Sequence, residues 1–254
     1  MTDAATYPAG HPSWIDLMTP TPARTHAFYA ALFGWTYEIR PDYGGYAMAH
    51  QQGRTAAGIM PMEPDSPMPS AWTVYFDSAD IAADAERVTE LGGQVMVPPM
   101  QVGDQGQMGV FSDPTGAVFG LWQAGNHKGA QATDGEGSLA WVQVNTPDSA
   151  RASAFYQALF HADGVQVPDM DYRQLQHGGL GYAGVSGMAQ EGVPAHWIAY
   201  FYASDVDAAV QRAVQNGGTL QGEVLDTPFG RMALLADPAG ASFWVMNPQR
   251  SAHA

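Results

Sequence analysis

The chain has 254 residues, 46% of them hydrophobic and 14% charged, the composition of a globule with ample core material rather than of a disordered or membrane-spanning chain. Ten Lys and Arg against 25 Asp and Glu give a formal net charge of −15, a field that repels phosphate backbones and anionic lipid surfaces alike; neither nucleic acid nor membrane is an expected partner. There is no cysteine, which removes disulfides, thiolate metal sites and cysteine nucleophiles.

In chain order, MTDAATYPAG has no basic n-region and no apolar h-region, and nowhere do 18 apolar residues run together, so a cytoplasmic location is expected. Residues 14–19 (WIDLMT) alternate as a strand. Thr19-Pro20-Thr21-Pro22 then offers capping hydroxyls and a pre-set φ for a helix that runs to Phe33, with Ala27, Phe28, Ala31 and Leu32 on one face. Turn residues separate short strands over 35–39, 45–51 and 56–61. A strand over 72–77, a helix over 79–91 ended by Gly92-Gly93, and three more strands to Trp122 complete a β-α-β-β-β pattern used twice.

The second half repeats the first. WIDLMTPTPARTHAFYAALF from Trp14 matches WVQVNTPDSARASAFYQALF from Trp141, an offset of 141 − 14 = 127. Trp72 recurs as Trp197, Gly92-Gly93 as Gly217-Gly218, and the Asp113–Ala117 turn (DPTGA) as Asp237–Ala241 (DPAGA). Module 1 therefore spans 1–124 and module 2 spans 138–254, joined by the polar, Gly-rich linker 125–137. The fold class is α+β, with four βαβββ units in the chain.

Tandem βαβββ units with AFYxxLF in the first helix, Gly-Gly before the sixth strand and DPxGA before the last resemble the vicinal oxygen chelate superfamily, which includes glyoxalase I, extradiol dioxygenases and bleomycin-resistance proteins. The likeness is closer to two-module actinobacterial members and covers nearly the whole chain. It implies two curved mixed-sheet half-barrel modules with a concave cavity for each pair of units; which units pair is left open. It also implies where a metal would bind: one ligand from the first strand, one from the fifth and a Glu from the last. Registering on the helix FY and on DPxG puts Trp14, Thr73 and Gly120 there in module 1, and Trp141, Ile198 and Trp244 in module 2. None supplies an imidazole or a carboxylate, so no metal is expected, and metal-dependent glyoxalase or dioxygenase chemistry is disfavoured. No P-loop, GxSxG elbow or dinucleotide fingerprint is present, and no cofactor is expected.

Strand parity gives the residues that share a face with those positions: Asp16 and Met18; Tyr75 and Asp77; Trp122; and in module 2 Gln143, Asn145, His196, Tyr200 and Tyr202. Trp14, Thr73, Asp77, Trp122, Trp141, Gln143, Tyr200, Tyr202 and Trp244 are the expected walls of a site for a flat, hydrophobic, aromatic small molecule. His177 closes a predicted strand at a loop, where surface exposure and a ligand contact are both open. Asp16, His196 and Tyr75 are the candidate catalytic groups. A carboxylate beside Trp14 would be partly desolvated and suited to acid or base work, with a structural pairing to Arg24 or the helix start as the alternative. A strand histidine can shuttle protons or simply hold a hydrogen bond. Two readings follow. One is a metal-independent enzyme of natural-product tailoring that promotes dehydration, cyclisation, isomerisation or cofactorless oxygenation; the other is a sequestering, resistance-type binding protein. The partner is a small aromatic molecule and the protein a monomer or homodimer.

Overall fold

The structure is a computed structural model that describes residues 7–187 and 192–248; most of the N-terminal segment read for a leader and the last residues of module 2 lie outside them. The first copy contributes β1 (Pro12–Thr19), α1 (Pro22–Phe33), β2 (Thr36–Arg40), β3 (Tyr46–Gln51), β4 (Arg54–Pro61), β5 (Ala71–Asp77), α2 (Ile81–Glu90), β6 (Gln94–Val102), β7 (Gly106–Ser112) and β8 (Val118–Ala124). The second contributes β9 (Leu139–Asn145), α3 (Ser149–Phe160), β10 (Asp163–Gln166), β11 (Tyr172–His177), β12 (Leu180–Ser186), β13 (His196–Tyr202), α4 (Val206–Gln215), β14 (Thr219–Leu220), β15 (Leu225–Thr227), β16 (Gly230–Ala236) and β17 (Ser242–Asn247). Each copy builds one mixed sheet, in the order β2-β3-β4-β1-β5-β8-β7-β6 and, equivalently, β10-β11-β12-β9-β13-β17-β16-β14, with β15 paired to β16. This is the α+β arrangement of four βαβββ units. No helix among the described residues is long and apolar enough to cross a membrane.

Local chemistry explains the departures. Pro41–Tyr43 adds a single turn of 3-10 helix, ended by Gly44 in the left-handed region. Thr21 caps α1 by position alone; the Thr19 hydroxyl instead receives the Thr21 amide at 3.3 Å and pairs with the Thr25 hydroxyl at 2.9 Å. In the second copy the sixth strand is broken into β14 and β15 around Gly222, whose φ of 96° suits a glycine. Its counterpart β6 continues through Pro98 and Pro99 at the sheet edge, where its register against β7 shifts between Val95 and Val97 and again between Val97 and Met100, and an edge strand can spare the two amide donors. The Gly-rich linker is tied down: Gln131 and Ala132 donate to the Thr55 carbonyl, and the Glu136 carboxylate receives Arg212 at 3.1 Å and the Ser204 amide at 2.9 Å.

The chain divides into two compact units, and each draws on both copies of the repeat. One holds Thr73–Gly129 and Trp141–Ile198 with the chain up to Ile15; the other holds Asp16–Trp72, Ala130–Ala140 and the chain from Ala199. In the first, Phe76 and Phe119 pack on Phe155, Tyr156 and Phe160 of α3, and Trp197 Nε1 donates to the Tyr156 hydroxyl at 2.8 Å. In the second, Phe28, Tyr29 and Phe33 of α1 pack on Phe201 and Phe243, Trp72 Nε1 donates to the Tyr29 hydroxyl at 3.1 Å, and that hydroxyl donates to Asp237 at 3.4 Å. The repeated landmarks of the sequence are thus one buried device: the helix tyrosine links the fifth-strand tryptophan to the aspartate of the DPxGA turn. That aspartate also receives the Ala239 and Ala241 amides, and Asp113 likewise receives those of Thr115 and Ala117.

Candidate functional site

Alternation along the strands sorts the two faces of each sheet. Ile15 and Leu17 of β1, Val74 and Phe76 of β5, and Phe119 and Leu121 of β8 are fully buried against helices. Trp14, Asp16 and Met18, then Thr73, Tyr75 and Asp77, then Val118, Gly120 and Trp122 occupy the opposite face. In the second sheet Val142, Val144, Ala199, Phe201, Phe243 and Val245 face the helices, and Trp141, Gln143 and Asn145, His196, Ile198, Tyr200 and Tyr202, and Ser242, Trp244 and Met246 lie opposite.

Within the first compact unit, Tyr75 stands directly across from Gly120 in the parallel β5–β8 pair. Its ring occupies the space that a Cβ on Gly120 would need. Trp14 meets the His127 ring edge to face at 4.3 Å, and Trp122 meets it at 5.5 Å while donating from Nε1 to the His127 carbonyl at 3.0 Å. His127 comes from the linker, where no spacing or periodicity marks it; the His127 amide is held by the Gln105 carbonyl. Its Nε2 is buried without a hydrogen-bond partner, and burial lowers the imidazole to about 4, so the ring is neutral at pH 7. Asp77 is pushed the other way, up to about 6, by burial, with Lys128 opposing.

These two groups make the pH dependence of stability testable. A base whose folded pKa is depressed stabilises the fold above its ordinary pKa and loses that contribution as the pH falls through the folded value. For His127 the window runs from 6.5 down to about 4. An acid whose folded pKa is raised does the reverse, so for Asp77 stability is lost as the pH rises from 3.8 to about 6. Melting temperatures measured from pH 4 to 7 are expected to show less acid loss in His127→Phe than in the parent and more in Asp77→Asn. Identical profiles for parent and variants would refute the assignment.

Other expected site residues fall as follows. His177 faces neither open solvent nor the walls just described: Nε2 is 3.0 Å from the Phe160 carbonyl and Nδ1 2.9 Å from His11 Nε2, with Tyr182 stacked on His11 at 4.2 Å. Because the carbonyl only accepts, His177 donates from Nε2 and its Nδ1 receives the His11 proton. Trp141 donates to the Tyr172 hydroxyl at 2.9 Å, and that hydroxyl sits over Gly184 as Tyr75 does over Gly120. In the second compact unit, Asp16 lies across from Gly58 of β4, over which the Tyr46 hydroxyl stands. Tyr200 and Trp244 are paired across β13 and β17 and stack at 5.6 Å, nearly parallel at 7°. Tyr202 engages residues 137 and 138 through its backbone.

A metal of the kind used by glyoxalases and dioxygenases does not fit these residues. The three first-copy positions carry an indole, a threonine hydroxyl and a glycine overlain by a tyrosine ring, and the second-copy positions carry two indoles and an isoleucine. Among the described residues no three His, Asp or Glu side chains converge as a metal-holding group.

Four βαβββ units in two mixed sheets, with an aromatic face on each sheet away from the helices, define the vicinal oxygen chelate architecture. The chain belongs to the Glyoxalase/Bleomycin resistance protein/Dioxygenase superfamily, whose model matches residues 11–121, and a Glyoxalase-like domain model matches 141–246. It is 39% identical over 257 residues to the glyoxylase-designated protein CFP32 of Mycobacterium tuberculosis, with 98% of each chain covered. It is 38% identical over 259 residues to the anthracycline biosynthesis protein DauV of Streptomyces sp. (strain C5), with 93% of each covered. Among solved structures it shares its fold with the 2,3-dioxygenase LapB of Pseudomonas sp. KL28, at TM-score 0.67 and 14% identity over 98% of this chain and 96% of that one. Homoprotocatechuate 2,3-dioxygenase of Brevibacterium fuscum aligns at TM-score 0.69 and 13% identity over 99% and 84%.

Proposed function

We propose that this protein is a metal-independent member of its superfamily that binds a hydrophobic, aromatic small metabolite and moves a proton on it, as a tailoring step in natural-product biosynthesis. The observation that carries this reading is the Tyr75 ring over Gly120, at the place where the resemblance puts the last-strand carboxylate ligand. What would be a metal-binding corner is aromatic, with Trp14 and Trp122 buried around His127 in the same compact unit, a lining suited to a flat ligand. Relatives named for anthracycline biosynthesis, DauV and DnrV of Streptomyces, support an aromatic polyketide as the substrate class. Asp16 is the proposed proton acceptor. His196 is assigned to positioning, since both of its ring nitrogens are hydrogen-bonded.

The deciding experiment incubates the purified protein with a hydroxylated anthraquinone or anthrone in metal-free buffer and follows the mixture by mass spectrometry. A new product supports the enzyme; a ligand bound and returned unchanged favours the sequestration role that bleomycin-resistance kinship suggests. A chelator is expected to leave both turnover and melting temperature unchanged. Elemental analysis finding about one Zn, Ni, Fe or Mn per chain would overturn metal independence.

A further inference from the structure

The face of the second sheet that lies in the first compact unit carries side chains whose hydrogen bonds all run one way. His196 Nδ1 is 2.8 Å from the Pro194 carbonyl, which can only accept, so Nδ1 carries the proton and Nε2 is left with a lone pair. Asn145 Nδ2 lies 3.3 Å from that Nε2 and therefore donates to it. The Asn145 oxygen in turn receives Gln143 Nε2 at 2.6 Å. The order is fixed from its backbone end: Gln143 to Asn145 to His196 to Pro194. The group left at the head is Gln143 Oε1, an acceptor, beside Trp141 two residues back on the same face of β9.

We infer that Gln143 Oε1 heads an uncharged subsite that accepts a hydrogen bond from a phenolic or enolic hydroxyl of a flat ligand resting on Trp141. A free amide can rotate to offer either its oxygen or its nitrogen and so tells a donor from an acceptor poorly. An amide whose nitrogen is tied to Asn145, and through it to His196, is held in one orientation and keeps its oxygen at a fixed place as an acceptor. The selectivity is for a hydroxyl over the corresponding ether, and it needs no charge on the ligand. This rests on the proposed aromatic-ligand reading and adds the chemical group that the ligand presents.

The test compares 2-naphthol with 2-methoxynaphthalene, two neutral probes of one shape that differ in the donor, by equilibrium binding to the full chain. One neutral hydrogen bond that is replaced by an unpaired buried acceptor predicts that the parent prefers 2-naphthol by about five- to tenfold. Gln143→Met keeps the length of the side chain and removes the acceptor; it is expected to bring the ratio to about one while the ether binds as before. His196→Phe leaves the head group in place and removes the anchor, and it too is expected to lower the ratio. A parent that binds both probes equally, or variants that keep its preference, would overturn the subsite and leave the aromatic-ligand reading standing. A parent that binds neither probe would overturn both.

Discussion

Asp16→Asn is expected to slow turnover by about 10²–10⁴-fold while leaving ligand affinity nearly unchanged, the signature of a group that acts in the transition state. Asp16 follows Trp14 by two residues on β1 and so shares its face, away from the helix-facing Ile15 and Leu17. Its cross-strand neighbour is a glycine with the Tyr46 hydroxyl above it, which places a phenol beside the carboxylate's strand position. The α1 start is organised by the Thr19 hydroxyl, which receives the Thr21 amide and pairs with Thr25. In the second copy the same place holds Gln143, similar in reach and without the charge. Asparagine keeps the volume of Asp16 and removes the proton acceptor. A purely structural carboxylate would instead lower the melting temperature by a few degrees with no specific loss of rate. Wild-type turnover in Asp16→Asn would defeat the proposed role.

Asp237→Ala is expected to cost about 3–5 kcal/mol, enough to threaten folding at 37 °C. The residue is 4% exposed and its Oδ1 receives the Ala239 and Ala241 amides that shape the turn before β17. Its Oδ2 receives the Tyr29 hydroxyl, itself the acceptor for Trp72 Nε1. Alanine leaves two turn amides and the Tyr29 O–H without an acceptor, at about 1–3 kcal/mol for each donor that water cannot reach. Asp237→Asn keeps an oxygen for the amides and should lose only about 1 kcal/mol. Denaturant unfolding that ranks the two variants alike would contradict this account.

Most of the first copy's strands and both of its helices were legible in the sequence to within a residue or two, because alternation, the Pro22 start and the Gly34 and Gly92 stops are local signals. The sixth strand of the second copy was not, since its break depends on the backbone of Gly222 and not on hydrophobic pattern. Strand parity placed Tyr75, Trp122, Gln143 and Trp244 on their faces. It carried no sign that Tyr75 would lie over Gly120, which follows only from pairing register. His127 was missed for a related reason: a histidine in a Gly-rich linker reads as solvated until Trp14 and Trp122 are seen around it. The aspartates of the two DPxGA turns were read as turn residues, and their bonds to the turn amides support that. Their partners on distant helices lay beyond any local pattern.

The pairing of Tyr29 with Asp237 spans 208 positions of the chain. One compact unit is made of chain up to Ile198, so its segments have left a ribosome before the last segments of the other are made. The other needs β16 and β17, and until they arrive Phe28, Tyr29 and Phe33 have no Phe243 to cover them. Closure between such distant segments is slow, and apolar groups that wait are available to the wrong partners. Helix α1 therefore waits for β16 and β17, and the yield of soluble protein should respond to translation speed and chaperone supply while those two strands emerge.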